Sequence, residues 1–469
     1  MSQQVAPLAR ETVVAVIGAG TMGSGIALVA ATAGHTVLLY DAAPGAAEAG
    51  CKRQRADLAR LVERGKLTAE TSEDRLSRLR PAESLAALAE AGLVIEAIVE
   101  NLDIKVDVFR QVEALTRPDT ILATNTSSLS VTALSSRMRR PGHVVGMHFF
   151  NPAPILPLVE VVSGCLTEAS VAATIFSTAK AWGKTPVHCV SSPGFIVNRV
   201  ARPYYGEALR LLSEGAASPA TLDAILCETG GFRMGPFALM DLIGHDVNFA
   251  VTRSVYDGMF QDPRYKPSLV QQELVSAGLL GRKSGRGFYD YAKDVPQSAP
   301  ANYAIGPKPT HIVVEGDLGP ATALVDLVRK TNIAVEVRDG AGLIRLNDTI
   351  LALTDGRSAT ERMAADGSPT VLFDLALDYA AASRMAIARG DQVDDETLAQ
   401  AAGFFQALGK TVSVIDDAPG LVVMRTVAML ANEAADAVQQ GVATANDVDL
   451  SMVKGVNYPR GPLALADSI

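Results

Sequence analysis

The chain has 469 residues, of which 48% are hydrophobic and 20% charged, and this is the composition of a globular protein with two or three domains. The composition excludes a disordered chain. The net charge of -9 argues against a nucleic-acid surface, although it is compatible with a local basic patch for a phosphorylated ligand.

The cysteines give no sign of a zinc site or of a disulfide framework. They form no CxxC pair and have no accompanying histidine cluster, and they stand at Cys51, Cys165, Cys189 and Cys227. The first residues lack a basic segment followed by an apolar stretch, and no apolar run reaches the length of a membrane span. We therefore expect a cytoplasmic protein with reduced thiols, no metal, no membrane partner and no nucleic-acid partner.

A strand, a glycine-rich turn and a helix follow one another near the start of the chain. Residues 12–17 are an apolar run of strand length, and GAGTMG follows with Gly18, Gly20 and Gly23 in GxGxxG spacing before a helical stretch over residues 24–33. Gly18 permits the tight turn, Gly20 lets the backbone approach a pyrophosphate, and Gly23 lets helix and strand pack closely. The pattern predicts a dinucleotide site at the helix N-terminus.

An acidic residue ends the second predicted strand. This strand covers residues 36–40, and Asp41 follows it at the position where a carboxylate hydrogen-bonds both ribose hydroxyls and repels a 2′-phosphate. We therefore predict NAD as the cofactor rather than NADP. The alternative is a glycine turn in an unrelated α/β protein, and the surrounding strands and helix weigh against it.

The predicted helices over residues 45–80 carry an unusual local positive charge. Six basic residues lie within fifteen positions: Lys52, Arg53, Arg55, Arg60, Arg64 and Lys66. Such a run is either a solvated helix face or a patch for the phosphates of a substrate. Arg64 and Lys66 are the candidates for phosphate contacts.

A further predicted strand over residues 121–123 ends in the polar segment TNTSSLS. Asn125, Ser127 and Ser128 then lie at the carboxyl edge of a parallel sheet, where ligands bind. Their amide and hydroxyl groups either orient a substrate oxygen or cap the following helix, and the sequence leaves both interpretations open.

A histidine and a glutamate lie on two short runs that are rich in β-branched and aromatic residues. The runs cover residues 144–149 and 158–162, and three prolines between them exclude a helix. If the runs fold back antiparallel, His148 and Glu160 lie about 5 Å apart at Cβ, and a carboxylate beside an imidazole suits a general base. Spacing alone leaves an alternative, in which the histidine is an interior residue and the glutamate an edge charge against aggregation.

These segments together resemble one family. GAGTMG, VIEAIVENLDIK, ATNTSSL, GMHFFNPAP, LVEVV and PGFIVNR occur in the order and at the intervals of an NAD-dependent (3S)-3-hydroxyacyl-CoA dehydrogenase, and the resemblance covers residues 12–291. It implies that His148 takes the hydroxyl proton while C3 delivers hydride to the nicotinamide, and that Glu160 orients the imidazole. Ser127 and Asn198 would hold the substrate oxygens.

The resemblance also extends the predicted cofactor site. Together with the glycine turn, the predicted dinucleotide contacts are Gly18, Gly20, Thr21, Met22, Gly23, Asp41, Glu100, Lys105, Asn125, Ser127 and Asn151. Three further segments are most similar to the branch of this family in phenylacetate catabolism, which oxidises 3-hydroxyadipyl-CoA to 3-oxoadipyl-CoA. These segments are AWGKTPVH, GGFRMGPFALMDLIGHDVN and GRKSGRGFYDY. The alternatives are a 3-hydroxybutyryl-CoA dehydrogenase of fatty-acid or butanoate metabolism, a dehydrogenase of free hydroxy acids, and an NAD-binding structural protein without turnover.

The chain from residue 192 onward is predicted to be mainly helical. Residues 193–215 are predicted to form one long helix, opened by Pro193 and closed by Gly215, and further helices run to about Gly278. We expect a helical domain that leaves a cleft against the nucleotide domain, with Asn198 reaching it.

A Pro- and Ala-rich linker leads into an internal repeat. The linker covers residues 293–309, and ten residues from Pro193 to Asp241 recur 226 positions later, from Pro419 to Asp467, without a gap. The second copy has EGDLG where the first has GxGxxG, and Met424 replaces Asn198. We expect a reduced Rossmann-like unit without chemistry that covers the first helical domain as a partner subunit would. A homodimer is left open.

The predicted fold is an α/β Rossmann-type domain and an all-α domain, followed by a degenerate second copy of both. The predicted limits are residues 1–191, 192–292, a linker at 293–309, then 310–418 and 419–469. The first copy continues for 48 residues from Ile243 to Tyr291, whereas the chain stops at Ile469, so the second helical part is expected to be incomplete.

Overall fold

A computed structural model describes residues 5–469, and residues 1–4 of the predicted first domain lie outside the described residues. The first sheet has eight strands: β1 (Val14–Ile17), β2 (Val37–Tyr40), β3 (Leu79–Pro81), β4 (Leu93–Glu96), β5 (Ile121–Thr124), β6 (Val144–Phe149), β7 (Leu158–Ser163) and β8 (Thr185–Val190). Their order is β3-β2-β1-β4-β5-β6-β7-β8, and every neighbouring pair is parallel except β6 and β7. This is the predicted Rossmann-type sheet with an antiparallel turn-back near one edge.

Helices cover both faces of this sheet. They are α1 (Thr21–Thr32), α2 (Ala46–Glu63), α3 (Ala69–Ser77), α4 (Leu102–Leu115), α5 (Val131–Ser135) and α6 (Ala169–Ala181). The residues of β1, β4 and β5 are buried on both faces, which explains why these strands read as continuous apolar runs rather than as an alternation. These central strands therefore form the core of the sheet, and the polar segments of the sequence follow where the strands end.

The first helical part consists of six helices. They are α7 (Val197–Val200), α8 (Arg202–Ser213), α9 (Pro219–Glu228), α10 (Pro236–Ile243), α11 (His245–Gly258) and α12 (Leu269–Ser276). The prediction of one long helix over residues 193–215 is wrong. The chain first turns through Gly194 and Phe195, whose φ angles are 77° and 49°, and α7 and α8 are separate because Pro203 has no N–H to continue an existing helix.

The second sheet has seven strands and is mixed. The strands are β9 (His311–Glu315), β10 (Ala334–Arg338), β11 (Leu343–Leu346), β12 (Thr349–Leu353), β13 (Thr370–Phe373), β14 (Arg384–Arg389) and β15 (Thr411–Val414). Their order is β10-β9-β11-β12-β13-β14-β15, with antiparallel pairing where β11 meets β9 and β12 and where β13 meets β14. The remaining helices are α13 (Ala323–Arg329), α14 (Ala359–Asp366), α15 (Asp395–Ala407), α16 (Val423–Gln439), α17 (Ala445–Val456) and α18 (Pro462–Ala466).

The repeat seen in the sequence is also present in the backbone. The turn at Gly194 and Phe195 recurs at Gly420 and Leu421, whose φ angles are 75° and 52°. Left-handed φ angles are rare for residues such as phenylalanine and leucine. The same unusual turn at both positions therefore supports a common origin of the two copies.

The chain folds into two compact units, and each combines parts of both copies. The first unit contains the chain up to Arg199 together with Asp436–Val456. Within it, α17 of the second copy packs against β7 and β8, and the Val190 amide donates to the Val442 carbonyl at 2.9 Å. This contact between the second copy and the first sheet was not predicted.

The second unit contains Val200–Ala435 and Asn457–Ile469. Within it, α9 of the first copy packs against β14, and the Asp416 amide donates to the Ala216 carbonyl at 2.9 Å. This bond is the counterpart, 226 positions away, of the bond from Val190 to Val442. The second copy therefore does pack against helices of the first copy, as the sequence led us to expect.

Candidate active site

The loop between β6 and β7 folds these strands back on each other, as predicted. The antiparallel register places His148 opposite Glu160, with Gly146 opposite Val162 two residues earlier. The imidazole Nδ1 of His148 lies 2.6 Å from Oε2 of Glu160. The structure therefore confirms the predicted position of His148 opposite Glu160 on two antiparallel strands.

Both side chains of this pair are buried. The residue His148 is 6% exposed and Glu160 is 0% exposed, and the imidazole packs against the rings of Phe150 and Phe195 at centroid distances of 4.6 and 5.8 Å. Since β7 has β6 on one side and β8 on the other, Glu160 is not an edge charge, and that alternative is wrong. A carboxylate is retained in such an apolar place only with strong hydrogen-bond partners.

The second oxygen of Glu160 holds the start of the next segment. Its Oε1 accepts hydrogen bonds from the amides of Ile196 at 3.1 Å and Val197 at 2.9 Å. Glu160 thereby joins His148 to the turn that leads into α7. A carboxylate at Nδ1 favours the tautomer with the proton on Nδ1 and the lone pair on Nε2. Within residues 5–469, Nε2 of His148 has no hydrogen-bond partner, so its lone pair is available.

Asn198 and Ser127 lie next to each other in the same unit. The Nδ2 atom of Asn198 donates to the carbonyl oxygen of Ser127 at 3.4 Å, and both residues are half-buried. The hydroxyl of Ser130, rather than that of Ser127 or Ser128, caps α5 by accepting from the Ala133 amide at 3.1 Å. This leaves the hydroxyl of Ser127 out of the helix cap.

Glu100 organises the turn that presents Ser127. Its Oε1 accepts from the amides of Ser127 at 3.0 Å and Ser128 at 3.1 Å and from the hydroxyl of Thr126 at 2.6 Å. Burial opposes ionisation of Glu100, but the charge of Lys105 and these hydrogen bonds together lower its pKa from the usual value. Glu100 is therefore an anionic support of the turn.

Lys105 and Glu96 form a buried ion pair beneath this turn. Lys105 is 1% exposed, and its Nζ lies 2.5 Å from Oε1 of Glu96 and 3.2 Å from Oε2 of Glu100. The other oxygen of Glu96 accepts from the Thr124 hydroxyl at 2.7 Å. We had not singled out Glu96, although its position at the end of a buried strand was a visible signal.

The glycine turn has the shape that a pyrophosphate needs. A Cβ atom added at Gly18 would lie 2.5 Å from the Ala97 carbonyl oxygen, and one added at Gly23 would overlap the Gly18 carbonyl oxygen. At Gly20, by contrast, no heavy atom of the described chain lies within 4 Å of such a Cβ, and Gly20 is the N-cap of α1. Gly18 and Gly23 therefore allow the close packing of the backbone in this turn, whereas Gly20 leaves open space at a helix N-terminus.

Asp41 stands beside this turn as predicted. Its Oδ2 accepts from the Ala19 amide at 2.7 Å and its Oδ1 from the Ala43 amide at 2.9 Å, which fixes the carboxylate at the end of β2. Arg53 of α2 donates to the Ala19 carbonyl oxygen. These contacts hold the carboxylate beside the glycine turn, and an acidic side chain at this place fits a dinucleotide with a free 2′-hydroxyl.

The remaining predicted site residues occupy more peripheral positions. Thr21 and Asn151 are exposed and Met22 is half-buried, while Asn125 accepts from the Phe149 amide at 2.8 Å and so links β5 to β6. Arg64 and Lys66 are both exposed at the end of α2. In the part of the chain that the structure describes, neither forms an ion pair, whereas Arg55 and Arg60 pair with Glu73 and Asp57.

Other features of the described residues bear on the chemistry only indirectly. No group of three or more His, Cys, Asp or Glu side chains in residues 5–469 is arranged to hold a metal ion. All four cysteines are free. The described helices include none that is long and apolar enough to cross a membrane.

Comparison with known proteins decides the family. The sequence model of one protein family, the 3-hydroxyacyl-CoA dehydrogenase NAD binding domain, matches residues 13–192. The family model of the 3-hydroxyacyl-CoA dehydrogenase C-terminal domain matches residues 194–291 and 420–469. The chain belongs to the 3-hydroxyacyl-CoA dehydrogenase family. It is an NAD-dependent oxidoreductase that acts on 3-hydroxyacyl-CoA thioesters.

Relatives of this dehydrogenase extend over both copies. The 3-hydroxyadipyl-CoA dehydrogenase of Escherichia coli is 46% identical over 451 residues, which are 96% of this chain and 89% of the relative. The crystal structure of a 3-hydroxybutyryl-CoA dehydrogenase from Escherichia coli K12 superposes with a TM-score of 0.87 at 45% identity, covering 98% of this chain and 92% of that one. The model of a 3-hydroxybutyryl-CoA dehydrogenase reduced Rossmann-fold domain matches residues 351–419, in agreement with the reduced second sheet.

Shorter relatives match the first copy alone. The 3-hydroxybutyryl-CoA dehydrogenase of Clostridioides difficile is 43% identical over 279 residues, which are 60% of this dehydrogenase and 99% of the relative. The length of that relative corresponds to the first nucleotide and helical parts. A single copy therefore suffices to build a protein of this family, and the second copy is an addition.

Proposed function

We propose that His148 is the general base of the reaction and that Glu160 holds and stabilises its charged form. The observation that carries the proposal is the contact of 2.6 Å between Nδ1 of His148 and Oε2 of Glu160, which leaves Nε2 without a partner within residues 5–469. A neutral imidazole with its lone pair on Nε2 can accept a proton, and a buried carboxylate then stabilises the imidazolium. Ser127 and Asn198 are proposed to hold the substrate oxygens.

The proposed reaction follows from these positions. The C3 hydroxyl of a (3S)-3-hydroxyacyl thioester loses its proton to Nε2 of His148, the C3–O bond becomes a carbonyl, and the C3 hydrogen leaves as hydride. Bound NAD supplies the hydride acceptor. The open space at Gly20 and the carboxylate of Asp41 would hold that cofactor. The other proposed cofactor contacts are Thr21, Met22, Glu100, Asn125, Ser127 and Asn151, whereas Gly18, Gly23 and Lys105 are proposed to act by shaping the turns beside the cofactor.

The repeat provides a matched test of the proposed role of Asn198. Replacing Asn198→Ala should lower kcat/KM for acetoacetyl-CoA reduction about a hundredfold, because the substrate oxygen loses a donor near the transition state. Replacing Met424→Ala, its counterpart in the second copy, should leave kcat/KM near wild type. Equal effects of the two replacements, with NADH affinity intact, would argue against the assignment.

We propose 3-hydroxyadipyl-CoA as the physiological substrate, in phenylacetate degradation. The support is the identity of 46% to the 3-hydroxyadipyl-CoA dehydrogenase of Escherichia coli over nearly the whole chain. The second candidate is 3-hydroxybutyryl-CoA, which the names of the Clostridioides difficile relative and of the superposed Escherichia coli structure favour. Values of kcat/KM for acetoacetyl-, 3-oxohexanoyl- and 3-oxoadipyl-CoA decide between the two, since the first candidate requires the highest value for 3-oxoadipyl-CoA.

We further propose that Arg64 and Lys66 contact the phosphates of CoA. Both side chains are exposed at the end of α2, in a chain whose net charge is -9. The double replacement of both by Ala should raise KM for acetoacetyl-CoA but not for acetoacetyl-pantetheine, which lacks the nucleotide phosphates. A rise in both KM values would indicate a structural effect instead.

We also propose a cytoplasmic location, which the four free cysteines favour, and domain limits at residues 191, 292, 309 and 418. A homodimer, which the sequence left open, is tested by light scattering of the purified chain.

A further inference from the structure

The last helices of the chain contact the segment that carries Asn198. Its neighbour Arg199 is 0% exposed, and its Nη2 lies 2.8 Å from Oδ2 of Asp436 while its Nη1 donates to Oε1 of Gln440 at 2.9 Å. The Nε2 atom of Gln440 also donates to Asp436, at 3.0 Å. Asp436 lies in the last turn of α16 and Gln440 directly follows that helix, so the C-terminal end of one helix of the second copy holds the guanidinium.

A second contact brings α17 to the same segment. A Cβ atom added at Gly455 would lie 2.6 Å from Cδ2 of Leu158 and 3.2 Å from Cγ2 of Val197. The helix α17 thus approaches both β7 and α7 so closely that a side chain has no room. Leu158 is on the strand of Glu160, and Val197 donates its amide to that glutamate.

The segment between residues 194 and 200 needs such support. It contains the left-handed turn at Phe195, with a φ of 49°, and the four-residue helix α7, which is too short to be stable alone. Its attachments include the carboxylate of Glu160, the Ser127 carbonyl, the pair formed by Asp436 and Gln440, and the surface of α17. The last two come from the second copy.

A related arrangement exists in the copy that lacks the chemistry. Nε of Arg425, the counterpart of Arg199, lies 2.8 Å from Oε2 of Glu207, and its Nη1 lies 2.6 Å from Oε2 of Glu214. Glu214 is the counterpart of Gln440, whereas Asp436 has no acidic counterpart in the first copy. There the neighbouring residue is Met424 instead of Asn198. We call Arg199 with Asp436 and Gln440 the first clamp, and Arg425 with Glu207 and Glu214 the second clamp. An asparagine of the proposed active site precedes the arginine in the first clamp only.

We propose that Asp436 and Gln440 are positioning residues for the oxidation. By fixing Arg199, they fix the backbone of the residue before it, and this directs the Asn198 amide toward Ser127 and the substrate oxygen. The inference rests on the proposed function of Asn198. It assigns to the degenerate second copy a part in the catalysis of the first copy, beyond covering its surface.

The test compares the two clamps. Asp436→Ala should lower kcat about tenfold while KM for NAD and the NADH dissociation constant stay within twofold, because a misplaced segment affects the reacting groups and not the nucleotide turn. Asp436→Asn, which keeps an acceptor for Arg199, should restore most of kcat. The control Glu214→Ala opens the second clamp and should lower the melting temperature without changing kcat.

Each outcome bears on the proposal separately. A kcat of Asp436→Ala near wild type, or equal losses of kcat in Asp436→Ala and Glu214→Ala, overturns it. If Asp436→Ala does not fold, Gln440→Ala removes one acceptor only and should still lower kcat, and an unchanged kcat overturns the proposal there too. If Asn198→Ala itself leaves kcat unchanged, the catalytic assignment fails, whereas an impaired Asn198→Ala beside an active Asp436→Ala refutes the positioning role alone.

Discussion

Asp374 stands at the place in the second sheet that His148 occupies in the first. The two residues are 226 positions apart, and the amide of Asp374 donates to the carbonyl of Ala386, which is the counterpart of Glu160. The carboxylate of Asp374 accepts from the amides of Val422 at 3.0 Å and Val423 at 2.7 Å.

These two amides are the counterparts of the ones that Glu160 binds. In the first copy, Glu160 of β7 holds Ile196 and Val197, and in the second copy the carboxylate of Asp374, which directly follows β13, does the same for Val422 and Val423. The second copy therefore has no imidazole here but has a buried carboxyl group at the start of its helical part, and burial raises the pKa of Asp374 to about 6. It follows that Glu160 has two separable functions, one toward the backbone and one toward His148.

Glu160→Gln separates these functions. The amide oxygen can still accept from the two backbone amides, but the NH₂ group faces Nδ1 of His148 and favours the tautomer with its proton on Nε2, which is the wrong one for a base. We expect kcat to fall on the order of a hundredfold or more, with a modest change in KM and in melting temperature. Steady-state kinetics with thermal unfolding checks this, and a kcat near wild type would show that the pairing has no catalytic function.

Asp374→Ala tests the structural function alone. The replacement leaves the amides of Val422, Val423 and Met424 without their acceptor in a fully buried place, so the free energy of unfolding should fall by about 2–4 kcal/mol. Urea denaturation measures this loss. The kcat per folded molecule should stay unchanged, and a large drop in kcat at unchanged stability would contradict the assignment of a purely structural role.

Gly20→Ala and Gly23→Ala should differ in kind. The methyl group at Gly20 meets open space in the described chain, so the fold persists and the NADH dissociation constant rises about tenfold because the pyrophosphate can no longer approach. At Gly23 the methyl group overlaps the Gly18 carbonyl oxygen, so the protein itself should lose stability. Fluorescence titration with NADH and thermal unfolding distinguish the two, and unaltered NADH binding by Gly20→Ala would count against this turn as the cofactor site.

The pair of Arg425 and Glu214 gives a pH dependence with a definite sign. The hydrogen bond from Arg425 holds the pKa of Glu214 below its ordinary value of 4.5. The folded protein therefore binds this proton less readily than the unfolded chain, so the pair stabilises above pH 4.5 and loses its effect as the pH falls through the lowered pKa. Melting temperatures of wild type and Glu214→Gln should differ at pH 7 and converge below pH 4.5, and a constant difference would contradict this.

The sequence carried enough information for the cross-strand pair but not for what surrounds it. His148 and Glu160 could be paired because prolines fix where the chain turns back and because strand residues alternate between faces. The late start of the predicted helix, after the turn at Gly194 and Phe195, involves the amides that Glu160 accepts, which is a tertiary contact, whereas its break before Pro203 is a local signal. For the same reason neither the clamp on Arg199 nor the role of Asp374 was visible, since the first joins residues 237 positions apart and the second joins residues 48 positions apart.

The nucleotide turn shows the opposite case. Gly18, Gly20 and Gly23 act through the local backbone, so their separate functions could be predicted from spacing and agree with the space around each of them. Lys105 shows the limit of such reasoning, because its burial between Glu96 and Glu100 depends on how β4, the loop after it and α4 fold back on one another. Functions that depend on the local backbone could be predicted from the sequence, whereas the buried ion pairs could be identified only from the folded structure.

The most direct measurement is the rate of NADH formation from (3S)-3-hydroxybutyryl-CoA by His148→Gln under saturating NAD. We expect a loss of kcat on the order of a thousandfold or more, with the NADH dissociation constant and the melting temperature close to those of the wild type. A His148→Gln enzyme that binds NADH normally and turns over within tenfold of the wild type would show that the proton leaves by another route.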